Sequence, residues 1–274
     1  VDVTDITVQT WMELVEVLYD IPIDKGRHRS DFVYRGLADK SWDLKTSLIR
    51  LGGKYEKLER PLLRSFKKYA EPGSLPPGGL WTLMAVAQHH GLPTRLLDWT
   101  VSPRVAVHFA TAELEKEEFR EKDAVIWCID VAAARALLPG KLRNVLHDEY
   151  AFLFSVEMLD SVNDLPEFDG LGGADGFVLF FEPPSLDARI VNQWGIMSVM
   201  PGPGLVLSEF LLDHPDLYHR VIIPSGLKWE VRDKLDQDNV TERMLFPGLD
   251  GLSTWLTRYY GTGPASPQQP PTVS

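Results

Sequence analysis

Ala124–Val131 reads AVIWCIDV, an apolar run rich in β-branched and aromatic side chains and broken only by its single aspartate. A run this short and this uniformly apolar predicts a strand covered on both faces. Three runs of the same character follow at Gly176–Glu182 (GFVLFFE), Gly195–Met200 (GIMSVM) and Tyr218–Pro224 (YHRVIIP). Together they predict a β-sheet in the C-terminal half. Upstream the pattern changes to helical spacing. Thr10 and Glu13 form a capping-box pattern ahead of Trp11, Leu14, Val15 and Leu18. Tyr55, Leu58, Leu62, Phe66 and Tyr69 mark a second helix, reached through a turn at Trp42–Arg50. Leu80–His90 predicts a buried helix stopped at Gly91, which places His89 and His90 in its last turn. Ser102-Pro103 is an N-cap followed by a first-turn proline, and Val105, Ala106, Phe109 and Ala110 give that helix its apolar face. Pro93–Val101 then reads as a connector between two helices. The expected class is α+β, with a helical N-terminal half packed on a mixed C-terminal sheet.

Between these elements, Asp31–Gly36 (DFVYRG) is a short strand-like run closed by glycine. Glu71–Gly79 (EPGSLPPGG) is too rich in Pro and Gly for regular structure, and the acidic, Gly-bearing interval Ser161–Gly176 reads as a long loop, either a lid or disordered. Short helices near Leu227–Leu235 and Leu249–Tyr260 are placed to cover the sheet. Residues 1–261 read as one domain. Thr262–Ser274 (TGPASPQQPPTVS) has no core-forming content and reads as a disordered tail.

Composition narrows the function classes. Of 274 residues, 44% are hydrophobic and 24% charged, which is ordinary for a chain with a sizeable core. The formal net charge of −11 opposes a polyanionic partner, because nucleic-acid affinity rests on Lys and Arg neutralising phosphates. A nuclease would want clustered carboxylates for metal and a basic surface, so it is the least favoured enzyme class. Cys128 is the sole cysteine; it excludes an intrachain disulfide and a Cys-rich metal site, and it fits a reducing compartment such as the cytoplasm. The seven histidines lack HExxH spacing, and neither GxGxxG nor GxxxxGK[ST] occurs. No metal site is expected. No run reaches the ~18 apolar residues needed to span a bilayer, and Val1–Asp5 lacks the order of a signal peptide.

Polar residues that could carry chemistry concentrate around Arg35 and Arg95. The blocks VYRG at Val33–Gly36, TSLIR at Thr46–Arg50, QHHGLPTRLLDWT at Gln88–Thr100 and SPRVAVHFA at Ser102–Ala110 resemble the signature of the FRG-domain family. Tyr34 stands in the aromatic place of the aromatic-Arg-Gly tripeptide. The resemblance continues weakly through Arg189–Val199 and ends near Leu245–Leu252. It implies no reaction by itself.

A weaker similarity does. Aromatic-Arg-Gly at the end of a strand, then a hydroxyl-bearing segment leading into Ala-x-x-Phe-Ala, is similar to the first two motifs of ADP-ribosyltransferases. That similarity implies NAD as cofactor, a nucleotide held by Arg35, a ribose-orienting hydroxyl from Thr100 or Ser102, and a protein or nucleic-acid acceptor. It also allows an ADP-ribosyltransferase-like core and a role as a toxin or defence effector. The class uses a Glu from a later strand against the cation-like ribose. Here the corresponding stretch reads Arg189–Gln193, so Gln193 is the candidate, with Glu182 on the preceding strand as the nearby carboxylate. Without a matched Glu, the alternative reading is a module that binds a nucleotide or a protein without turnover.

The candidate cleft comprises Tyr34, Arg35, Gly36, His89, His90, Arg95, Asp98, Thr100 and Ser102, with Arg35, Gln193 and Glu182 as candidate catalytic groups. Each has a structural alternative. Arg35 could pair with Asp98, since a guanidinium matches a carboxylate bidentately. Arg95 and Asp98, three residues apart, could simply fix the connector. His89 and His90 suit the negative end of a helix dipole as well as an anion. Ser102 is first of all an N-cap.

Overall fold

The computed structural model describes residues 5–20, 23–24, 27–112, 114, 116–173, 175–185 and 187–261. The expected disordered tail lies outside the described residues. The chain is α+β and is organised by one mixed eight-stranded sheet. Its strands are β1 (Asp5–Thr7), β4 (Phe32–Leu37), β5 (Leu97–Thr100), β6 (Ala124–Asp130), β7 (Phe154–Ser155), β8 (Leu179–Glu182), β9 (Gly195–Val199) and β10 (Tyr218–Ile223), in the order β1-β10-β6-β4-β5-β9-β8-β7. A separate small hairpin joins β2 (Ile23–Asp24) to β3 (Arg27–His28). The two edge contacts, β1 on β10 and β7 on β8, are parallel and the rest are antiparallel.

All four C-terminal runs form strands of this sheet. The helical N-terminal half packs on it and also contributes to it: Leu97–Thr100, expected as part of a connector, is a strand. No periodicity in LDWT announced this, because Leu97 and Trp99 face the core while Asp98 does not, and four residues are too few to separate alternation from chance.

The central strand β6 explains why its sequence is apolar throughout. Ala124, Ile126 and Cys128 pack on one face with Leu14, Leu18, Ala106, Val231 and Leu235, while Val125, Trp127 and Ile129 pack on the other with Leu207, Leu211 and Leu217. Each face is therefore roofed by helices, Trp11–Tyr19, Pro103–Ala110 and Lys228–Gln237 on one, Leu207–Leu212 on the other. Farther along, Leu179, Phe181, Met197 and Val199 pack with Trp81, Met84, Phe168 and Phe177 under the helix Leu80–His89.

The interval expected as a long loop, Ser161–Gly176, is instead partly helical: a 3₁₀ turn ends at Val162 and a helix spans Leu165–Gly170. Val162, Leu165 and Phe168 are buried there, and Trp81 donates its indole N–H to the carbonyls of Leu159 (3.1 Å) and Val162 (2.8 Å). Acidic and Gly residues masked this core contact in the sequence. Arg189–Gln193, expected on a strand, lies in the helix Ala188–Gln193, whose N-cap Asp187 accepts from the backbone N–H groups of Arg189 (2.9 Å) and Ile190 (3.1 Å). No helix among the described residues is long and apolar enough to cross a membrane.

Candidate functional site

The site arises where the sheet comes open. β4 pairs with β6 from Phe32↔Asp130 to Leu37↔Val125, but with β5 only at Tyr34↔Thr100. The N–H of Val131 bonds to the carbonyl of Asp31, and Asp31 stands opposite Val131 in this register. The hydrogen-bonding groups of Asp31, Val33, Arg35 and Leu37 therefore face β6, and those of Tyr34 and Gly36 face β5. By the same argument, the bond from Val101 N–H to the carbonyl of Trp194 turns the groups of Asp98 and Thr100 towards β4. Gly36 and Asp98 would form the next rung after Tyr34 and Thr100. That rung is not made, and Arg35 donates its guanidinium to the Asp98 carbonyl across the opening.

A cavity of about 260 Å³ occupies this opening. Backbone and side chains of Tyr34, Arg35, Gly36, Asp98, Thr100 and Met197 line it from the strands, and Gln88 and His89 enter from the end of the helix Leu80–His89. Arg189 and Gln193 enter from the helix Ala188–Gln193, and Phe109 closes a further wall. Two arginines and one carboxylate, Asp98, face this space among the described residues.

The polar groups are held in place. Gln88 bridges the cleft and the core: its Nε2 donates to Asp98 Oδ2 (3.1 Å) and its Oε1 accepts from the Thr94 hydroxyl. His89 Nε2 lies 2.7 Å from Asp187 Oδ2. Burial would raise the Asp187 carboxyl, but the backbone N–H of Ile190 and the contact with His89 outweigh it and hold its pKa below the ordinary value. Thr100 donates its hydroxyl to the Gln193 carbonyl (2.7 Å) and accepts from Ser102 N–H (3.0 Å). Arg35 has no carboxylate within ion-pair distance among the described residues. Desolvation lowers its pKa and Asp98 offsets this only in part.

Several sequence expectations are rearranged. Arg95 does not reach the cleft and does not pair with Asp98. It is buried in the connector ahead of β5, with Nε 2.7 Å and Nη2 2.5 Å from the two Glu59 carboxylate oxygens, and with Nη1 on Asp169. Burial alone would lower its pKa, but Glu59 and Asp169 raise it. His90 is exposed beside His89 and is outside the lining of this cavity. Ser102 is the N-cap of Pro103–Ala110, accepting from Val105 N–H at 3.5 Å. Glu182 is exposed at the end of β8 and outside the cavity lining. Gln193 lines the cleft, but its Nε2 is engaged by the Leu245 carbonyl (3.0 Å).

Gln88, Arg189 and Phe109 line the cleft, and Asp187 supports it from behind; none of the four was anticipated. Asp187 ahead of Ala-Arg-Ile-Val carries an N-cap signal, which would have converted the expected strand into a helix and brought Arg189 into view. Among the described residues no group of three or more His, Cys, Asp or Glu converges as a metal site.

The FRG domain family model matches residues 30–119. That segment contains β4, β5 and the helices Leu80–His89 and Pro103–Ala110, so most of the cleft floor lies inside it, while Arg189, Gln193 and Met197 come from beyond it. No curated protein and no solved structure matches the chain.

Proposed function

We propose that the opening between β4 and β5 binds a nucleotide, NAD foremost, and that the chain acts on it as an ADP-ribosyltransferase-like enzyme or NAD glycohydrolase. The unmade rung between Gly36 and Asp98, bridged by a guanidinium without a carboxylate partner, carries this reading. An open strand edge offers a backbone donor and acceptor side by side, which complements the carboxamide of nicotinamide. Arg35 and Arg189 supply two forks for phosphate oxygens. The volume of about 260 Å³ lies just below the ~300–1,000 Å³ of small-molecule pockets, and so suits one half of a dinucleotide.

Cleaving the bond between nicotinamide and ribose builds positive charge on the ribose, and a fixed carboxylate lowers that barrier. Gln193 cannot supply it, and Glu182 stands outside the cleft. Asp98, oriented by Gln88 at 3.1 Å, is the carboxylate that takes this role. Cleavage would pass the ADP-ribose to water or to a protein acceptor; a toxin or defence role in the cytoplasm belongs with this reading.

The engagement of Gln193 by Leu245 favours a second reading, recognition of the nucleotide without turnover. Incubation with carbonyl-labelled NAD separates the two. Nicotinamide release that disappears in Asp98→Asn while NAD binding persists supports the enzyme. Binding without release supports recognition, and the absence of binding in the millimolar range removes both.

A further inference from the structure

A second cavity, of about 640 Å³, adjoins the first through Gly36 and Phe109 and has the opposite electrical character. Trp42, Phe109 and Phe246 supply aromatic walls, and Asp250 and Glu242 supply carboxylates. No Lys or Arg is among its described lining residues, whereas Arg35 and Arg189 line the first cavity. The edge-on pair Phe109–Phe246, with ring centroids 6.1 Å apart, stands beside the boundary, and Arg189 lies over the Phe246 ring at 5.0 Å.

Among the described residues the floor charges cancel: Glu242 is shared by Arg232 and Arg258, and Asp236 takes the remaining fork of Arg258, so two cations meet two anions. His108, also in the lining, is kept neutral: burial and then Arg232 push its pKa down to about 3. The uncompensated charge is Asp250, exposed in the first turn of the helix Leu249–Tyr259, with no side-chain partner among the described residues.

We propose that this second cavity is a recognition site for a guanidinium side chain presented by a protein partner. An arginine has an apolar stem that covers aromatic surface, a planar cation that stacks on a ring face, and a fork that matches a carboxylate. Trp42, 43% exposed and held edge-on by Phe119 at 5.5 Å, provides the accessible face, and Asp250 provides the carboxylate. The formal net charge of −11 favours encounter with a cationic partner.

The site is independent of what occupies the Arg35 cleft, and its test does not require a nucleotide. Titrating the whole chain with N-acetyl-arginine amide and with its neutral isostere N-acetyl-citrulline amide, by calorimetry or chemical-shift change, isolates the charge at constant shape. The arginine probe binds in the millimolar range or tighter and the citrulline probe at least about tenfold more weakly. Asp250→Asn brings the arginine probe down to the citrulline level, and Thr254→Trp fills the cavity and removes both. Equal binding of the two probes, no saturable binding of either to the folded wild-type chain, or an undiminished preference in Asp250→Asn overturns the proposal. Thermal unfolding of each variant separates a lost site from a lost fold.

Discussion

Gly36 lies so close beneath the helix Pro103–Ala110 that a Cβ placed on it would sit 1.9 Å from the carbonyl oxygen of Ala106 and 2.6 Å from the Ala110 nitrogen. Both obstacles are backbone, so no side chain can swing aside. The glycine of the YRG triplet is required by helix-to-strand contact, and not by an unusual φ. The same approach places the helix, and Phe109 on it, at the wall shared by the two cavities.

Gly36→Ala therefore forces the helix outward. Overpacking of this kind costs about 1–3 kcal/mol, and here the upper end or more is expected because backbone must move. A urea titration gives the change from the midpoint shift. Retention of full stability would mean that the helix yields more easily than its packing against Tyr34, Ile126 and Cys128 suggests.

Much of this was legible in the sequence, and the exceptions share a cause. Caps and apolar runs are local signals, and Thr10, Ser102 and the strand Ala124–Asp130 stand where those signals put them. Tyr34, Arg35, Gly36, His89, Asp98, Thr100 and Gln193 do meet at one cavity. What was not legible depends on partners far away in the chain. Arg95 is turned from the cleft by Glu59, 36 residues upstream, and by Asp169, 74 residues downstream. Neither spacing leaves a mark in a single sequence. The opening between β4 and β5 was equally hidden, since it consists of a rung that is absent.

Arg95 should consequently behave as a structural residue. Its side chain and that of Glu59 are each only 3% exposed, and breaking a buried pair of this kind by removing one partner costs about 3–5 kcal/mol. Arg95→Met is expected to lose about that much, Glu59→Met a similar amount, and the double variant less than the sum because neither charge is left unpaired. Chemical denaturation of the four proteins measures the coupling. Additive losses would indicate that Asp169 alone holds Arg95.

Stability should fall with acid in two stages. His108 is buried neutral, with burial and then Arg232 lowering its pKa to about 3, whereas an unfolded chain takes up that proton near 6.5. A base depressed in the fold weakens stability as pH falls below 6.5 and ceases to do so near 3. Glu242 is also depressed: burial opposes ionisation, but its hydrogen bonds and the charges of Arg258 and Arg232 bring it to about 2 from an ordinary 4.5. Its contribution is complete above 4.5 and is lost as pH falls from there towards 2. Unfolding midpoints measured from pH 7 to 3 should decline gently to about 4.5 and steeply below it. Glu242→Gln should be destabilised at neutral pH and show a shallower slope below 4.5. A parallel curve for that variant would place the acid sensitivity elsewhere.

Arg35 is expected to separate stability from binding. Among the described residues its guanidinium makes one hydrogen bond, to the Asp98 carbonyl, and desolvation disfavours its charge without a carboxylate in reach. In the ligand-free protein, Arg35→Met loses that bond, worth about 1.5–3 kcal/mol for a charged donor, but also relieves a poorly solvated cation. The two effects oppose each other, so thermal stability should change by no more than about 1 kcal/mol. Binding has no such offset. An anionic ligand in the cleft loses a charge-assisted fork, and its affinity should fall about tenfold or more. Arg35→Lys keeps the charge but not the planar fork, and should fall between the two. Titrations with NAD and ADP-ribose, run beside thermal unfolding of the ligand-free proteins, report both quantities. Destabilisation of Arg35→Met by several kcal/mol with unchanged affinity would show that the guanidinium serves only to brace the open rung between Gly36 and Asp98.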